Sequence, residues 1–163
     1  MPTDEEIGFP KGTTDEPELF LRWLGFLRGA VIRKVEGVSE RDARWTPDGR
    51  LISLLGIVNH LTHVEVRWID GGVLGGTRRE EVTKEADEYT PGPGLTVDVA
   101  IDAYRARATK TDATVRRMSL AEPCQWGEDT DLRWVLLHLI NETARHAGHA
   151  DATRELLDGF TGE

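Results

Sequence analysis

At 163 residues, with 39% hydrophobic and 30% charged side chains, the chain has the size and balance of one soluble globular domain around a single sizeable core. A formal net charge of -9 without any basic run argues against general binding to a nucleic-acid backbone, and no apolar stretch approaches the roughly 20 residues that a membrane span needs. Met1 to Thr14 lacks the basic and apolar regions of a signal peptide, and Cys124 has no second cysteine for an internal disulfide, so a cytoplasmic location is expected.

Residues 1–14 are polar, carry Pro2 and Pro10, and read as an extended arm. A first helix starts at Asp15 or Glu16, either able to cap, with Pro17 where a missing N–H does no harm. Phe20, Trp23, Leu24, Leu27, Val31 and Val35 then give a wide apolar stripe that Gly37 ends. Ser39 to Arg44 suits a short helix, and Trp45-Thr46-Pro47-Asp48-Gly49 is a turn. The second long helix covers Ser53 to Asp70, with Leu54, Ile57, Leu61, Val64 and Trp68 at helical spacing, and Gly71 and Gly72 are expected to stop it.

From Gly71 to Thr96 glycines, prolines and charges follow with no period. A connection of that length is either a binding-site cover or an inert loop. The third long helix, Val97 to Met118, has the clearest periodicity: Val97, Ile101, Tyr104, Ala108, Thr111, Val115 and Met118. Ala121 to Asp129 breaks it, Asp129 or Thr130 caps the fourth helix from Leu132 to Asp158, and Gly159 and Gly162 mark a tail. These elements predict an all-α fold, a four-helix bundle with a long crossover connection between helices 2 and 3. The expected division is an arm at 1–14, the bundle at 15–158 and a tail at 159–163.

The fourth helix carries His138, Glu142, His146 and His149 at steps of four, four and three, which stack on one helical face. Val135, Leu139, Ala150 and Leu157 lie on or beside the arc of Glu142 and His146, while Arg133 and Asp151 fall opposite. A carboxylate buried on such a stripe costs several kcal/mol unless it is protonated, paired or bound to a metal. A cation held by Glu142 and His146 compensates it directly, and a third ligand has to come from another helix. His60 is favoured, because it borders the apolar stripe near Ile57 and Val64, whereas His63 points further away. Taken singly, each histidine is more often a satisfied core or surface residue; the combination is what points to a metal. Trp68 and Trp134 read as core rather than pocket lining, and Cys124, with no histidine fixed beside it, is a weak candidate nucleophile.

The strings SLLGIVNHLTHVEVRW and LRWVLLHLINETARHAGHADATREL, with the W-x-P-x-G approach at Trp45 to Gly49, resemble the two signature helices of the DinB-like superfamily. The likeness runs from about Leu19 to Leu157 and is strongest to small actinobacterial members related to mycothiol S-transferases. It implies a crossover four-helix bundle, often a homodimer, with a metal near one end held by a His on the second helix and an H-x-x-x-H pair on the fourth. His60 and His146 match the first and last ligand positions, and Glu142 stands where many members have His. That departure resembles the mycothiol-dependent maleylpyruvate isomerase branch, whose zinc uses His, Glu and His.

Two His and one Glu leave an open coordination position, as in catalytic rather than structural zinc. The resemblance then implies a zinc-dependent transferase that activates a low-molecular-weight thiol such as mycothiol for attack on a small electrophile. Nickel, iron and manganese accept the same ligand types. His149, one turn from His146, is the catalytic candidate as acid-base partner, and alternatively an orienter of His146 or a replacement ligand. Two other readings stay open: a metal-dependent hydrolase, with His149 or His138 as its base, and a dimeric metal-binding protein without turnover.

Overall fold

The computed structural model describes residues 9–82, 87–127 and 129–162, apart from the side chain of Glu80. Its elements are α1 (Glu16–Val35), a single-turn α2 (Glu40–Ala43), α3 (Leu54–Glu65) continued by a π-helical segment (Val66–Val73), a 3-10 turn (Arg79–Glu81), α4 (Val97–Val115) and α5 (Leu132–Asp158). Among the described residues the only strand-like pairing is an isolated bridge between Pro123 and Asp131. No described helix is long and apolar enough to cross a membrane.

The four long helices run up, down, down and up. Arg133 at the start of α5 pairs with Glu16 at the start of α1 at 2.8 Å, and Arg154 near the end of α5 donates to the Lys34 carbonyl near the end of α1 at 3.0 Å. These two helices are therefore parallel. The start of α3 packs with the ends of α1 and α5, through Leu54, Val35 and Ala150, and Val64 at its other end packs with Leu24 and Leu132. The last residues of α4 return to the start of α1, where Arg116 pairs with Glu18 at 2.6 Å. With α3 and α4 both descending, the chain between them has to travel back along the bundle, which is the crossover that the sequence predicts.

Caps explain where the helices start. Asp15, Ser39, Ser53, Thr96 and Asp131 each accept an N–H from the first turn of the helix that follows. The fourth long helix is thus capped by Asp131, not by Asp129 or Thr130: the Asp131 carboxylate accepts Trp134 N–H at 2.9 Å and its carbonyl takes the first helical bond, from Val135 N–H. The third long helix stops at Val115, three residues short of Met118.

Two expectations need larger corrections. Gly71 and Gly72 do not stop the second helix but sit inside its π-helical extension, which ends with Leu74 as its C-cap and Gly75 at φ +71°. Their role is close approach: a Cβ on Gly71 would lie 2.7 Å from Trp126 Cζ2, and one on Gly72 3.2 Å from Cys124 Sγ. The buried stripe of α1 is also rotated from the predicted one. Leu21, Leu24, Arg28, Val31, Lys34 and Val35 are buried, while Trp23 faces outward against Phe9 of the N-terminal arm and Phe26, with ring centroids 5.9 and 6.0 Å away.

Arg28 is the reason for that rotation. It is 4% exposed, and all three of its guanidinium nitrogens donate: Nε and NH2 to the Glu65 carboxylate at 2.7 and 2.8 Å, NH1 to Asp112 at 2.8 Å. Burial alone would lower its pKa, but the two carboxylates outweigh that and hold it above the ordinary arginine value. A hydrophobicity pattern assigns arginine to the surface and cannot see partners on α3 and α4.

Candidate metal centre

His60 lies in the middle third of α3 and Glu142 and His146 in the middle third of α5, so the group sits along the bundle's length rather than near one end. His60, 3% exposed, and the partly buried Glu142 and His146 offer one ligand atom each, all within 4.8 Å of one another. The Glu142 Oε1 atom is 3.2 Å from His60 Nε2 and 3.4 Å from His146 Nε2. The helical step of four brings Glu142 and His146 together, and Leu139, Ala147 and Ala150 bury that side of α5 against the bundle.

Both ionisable partners on α5 are shifted. Burial would raise the Glu142 carboxyl, but the contact with His60 and the fields of His146, His60 and His138 outweigh it, leaving a carboxylate below its ordinary range. Burial, followed by the field of His60, lowers His146 despite the opposing pull of Glu142, so its imidazole favours the neutral form. Its Nδ1 is buried and has no hydrogen-bond partner among the described residues. One carboxylate oxygen thus faces two imidazole nitrogens. A proton on His60 Nε2 satisfies one of those contacts and leaves His146 poorly paired, whereas a divalent cation would accept all three donor atoms at once. The donor set fits a metal.

The remaining candidates fall around this group. His63 donates from Nδ1 to its own helix at the Asn59 carbonyl, 2.8 Å away, and lines a cavity of about 380 Å³ with Arg67, Asp70, Thr77 and Trp126; it does not join Glu142. His149 is exposed, with its ring 5.4 Å from His146 in an edge-on arrangement. His138 stacks on Trp134 and tilts against Trp68, with centroids 5.5 and 4.6 Å apart, and burial lowers its pKa although Glu142 one turn on pulls the other way. Trp134 is 43% exposed and so belongs to an outer aromatic lane, not to the core. Cys124 is buried.

Sequence reasoning missed Glu88. This fully buried carboxylate lies 2.6 Å from His60 Nδ1 and accepts from Arg67 NH2 at 2.5 Å. It arrives on the crossover, whose Asp87 and Glu88 carbonyls accept from Asn59 Nδ2 at 3.2 and 2.9 Å. Tyr89 stacks on the His60 ring at 4.6 Å, and a Cβ on Gly56 would collide with the Tyr89 carbonyl oxygen. The cover reading of the 71–96 connection therefore fits its described part, since residues 87–89 close over His60; Thr83 to Ala86 lie outside the described residues. The available signal was weak: one carboxylate among several in an aperiodic stretch.

An up-down-down-up bundle with a His/Glu/His group shared by two helices defines the class, an all-α DinB-like fold with a candidate metal centre. The chain belongs to the mycothiol S-transferase family, whose model matches residues 19–159. A solved structure described as a conserved protein from Enterococcus faecalis is 13% identical, covers 91% of this chain and 100% of its own, and superposes with a TM-score of 0.70; that likeness carries the fold alone. No curated protein matches the chain.

Proposed function

We propose that this protein is a metal-dependent S-transferase in which His60, Glu142 and His146 hold a divalent cation, zinc first, and a small thiol such as mycothiol is joined to a small electrophile. The observation that carries the reading is the convergence of three donor atoms from two helices within 4.8 Å, in a family named for mycothiol S-transfer. A cation in such a set makes a thiol far more acidic than it is in water. The chain's own work is then positioning. Glu142, kept ionised, supplies the negative ligand, and His146, kept neutral, supplies a lone pair without first losing a proton. In this reading His149, exposed with its ring 5.4 Å from that of His146, takes up the thiol proton and passes it to water. The proposal includes a cytoplasmic location and a homodimer, the latter tested by sedimentation at several concentrations.

The test is consumption of a thiol in the presence of monobromobimane. Rate enhancement that needs added metal and disappears in His60→Ala supports transfer; stoichiometric metal without thiol loss leaves a binding protein. His149→Asn is expected to keep metal affinity and slow turnover about 100-fold, the lower end for loss of a general acid-base group.

A further inference from the structure

We propose that Glu88 is a positioning residue of the metal centre: the crossover delivers it to His60 Nδ1 so that the ligand lone pair on Nε2 is fixed toward Glu142 and His146. The inference rests on the metal reading of that group. A neutral imidazole carries its one proton on either nitrogen, and only the bare nitrogen can bind a cation. Paired with the Arg67 guanidinium on one oxygen, the Glu88 carboxylate is an acceptor on the other, and 2.6 Å from His60 Nδ1 it draws the proton to that nitrogen. Nε2 is then left bare, 3.2 Å from Glu142 Oε1.

Among the described residues, α3 and its continuation supply contacts to Glu88 and its immediate neighbours. Asn59 grips the two carbonyls at residues 87 and 88, Arg67 grips the carboxylate two turns along, and Gly56 clears room for the backbone of Tyr89, whose ring then lies over His60. The ring is thus clamped at one nitrogen and on one face while its other nitrogen points into the group. A carboxylate partner also makes an imidazole a better electron-pair donor, and loss of such a partner typically costs 10–100-fold in metal affinity.

Two measurements test this, and neither relies on turnover. The first is the nitrogen chemical shifts of His60 in the metal-free wild-type chain, at a pH where the ring is neutral: Nδ1–H is expected, and a predominant Nε2–H tautomer would overturn the inference. The second is competition of zinc between the protein and a chromophoric chelator. Glu88→Gln, which keeps shape but loses charge, is expected to weaken zinc about 10-fold or more in a metal-free chain that still melts cooperatively, at a lower temperature because Arg67 loses its buried partner. Wild-type and Glu88→Gln chains of equal zinc affinity would overturn the role of Glu88 and leave the metal centre standing. A wild-type chain that takes up no zinc would instead remove the metal reading, with the tautomer still decided by the first measurement, which also needs no variant to fold.

Discussion

Two clusters of buried ionisable groups lie along α3, and they are resolved in opposite ways. At Glu65 a guanidinium from α1 fills both carboxylate oxygens and reaches Asp112 as well, so each of the three Arg28 guanidinium nitrogens has a carboxylate partner inside the protein. At His60 the charges do not close: one carboxylate oxygen of Glu142 meets two imidazole nitrogens, and His146 Nδ1 has no partner among the described residues. The ion pairs of the first cluster are closed by protein atoms alone and serve the packing of α1, α3 and α4. The second becomes complete when a cation joins it. Burial by itself does not distinguish the two; the balance of donors and acceptors does.

The largest effect expected from breaking that contrast is at Arg28. Arg28→Met strands the Glu65 carboxylate in the core and is expected to cost about 3–5 kcal/mol in urea denaturation. Adding Glu65→Leu should recover most of that loss, because an apolar pair can replace a closed ionic one. Zinc at 100 times its dissociation constant is expected to stabilise the wild-type chain by about 2.7 kcal/mol. Glu142→Gln should abolish this gain, yet shift the metal-free chain by no more than about 1 kcal/mol, since nothing there is closed by Glu142 alone.

Acidity separates the clusters more gently. His138 and His146 are both held below the ordinary histidine value of 6.5, so the unfolded chain binds protons that the folded chain refuses. Their share of stability is complete above that value and is lost as pH falls through it toward the lower folded values. In chelator the slope is at most about 1.4 kcal/mol per pH unit for each histidine, and less for the partly exposed His138. Urea midpoints between pH 8 and 5.5 measure the slope, and His138→Gln should flatten it. The smallest effect is expected at Gly148, on the exposed side of α5, where a Cβ meets nothing within 4 Å. Gly148→Ala should add about 0.5–1 kcal/mol and leave zinc affinity unchanged, as stiffening this helix alters neither cluster.

The same contrast explains what the sequence made legible. His60, Glu142 and His146 were accessible because local helical spacing puts two of them on one face and the apolar stripe of α3 turns the third inward. Arg28 and Lys34 were missed as buried groups because periodicity treats charge as a surface marker, and their partners lie far away in the chain. Glu88 was missed for a related reason: its placement depends on Asn59, Arg67 and Gly56 catching an aperiodic segment. Gly71 and Gly72 carried an ambiguous signal, since glycine both ends helices and admits a close neighbour, and Trp126 decides for the second. Trp134 read as core because its helix is amphipathic, yet its register places it on the rim beside His138.

The metal content of the chain, purified without a histidine tag and equilibrated with zinc before exhaustive buffer exchange, tests the central claim most directly. One ion per chain in the wild type, and none in Glu142→Gln or His146→Asn variants that still melt cooperatively, is the predicted result. A folded wild-type chain that leaves the exchange free of metal, or variants that retain it undiminished, would contradict the account.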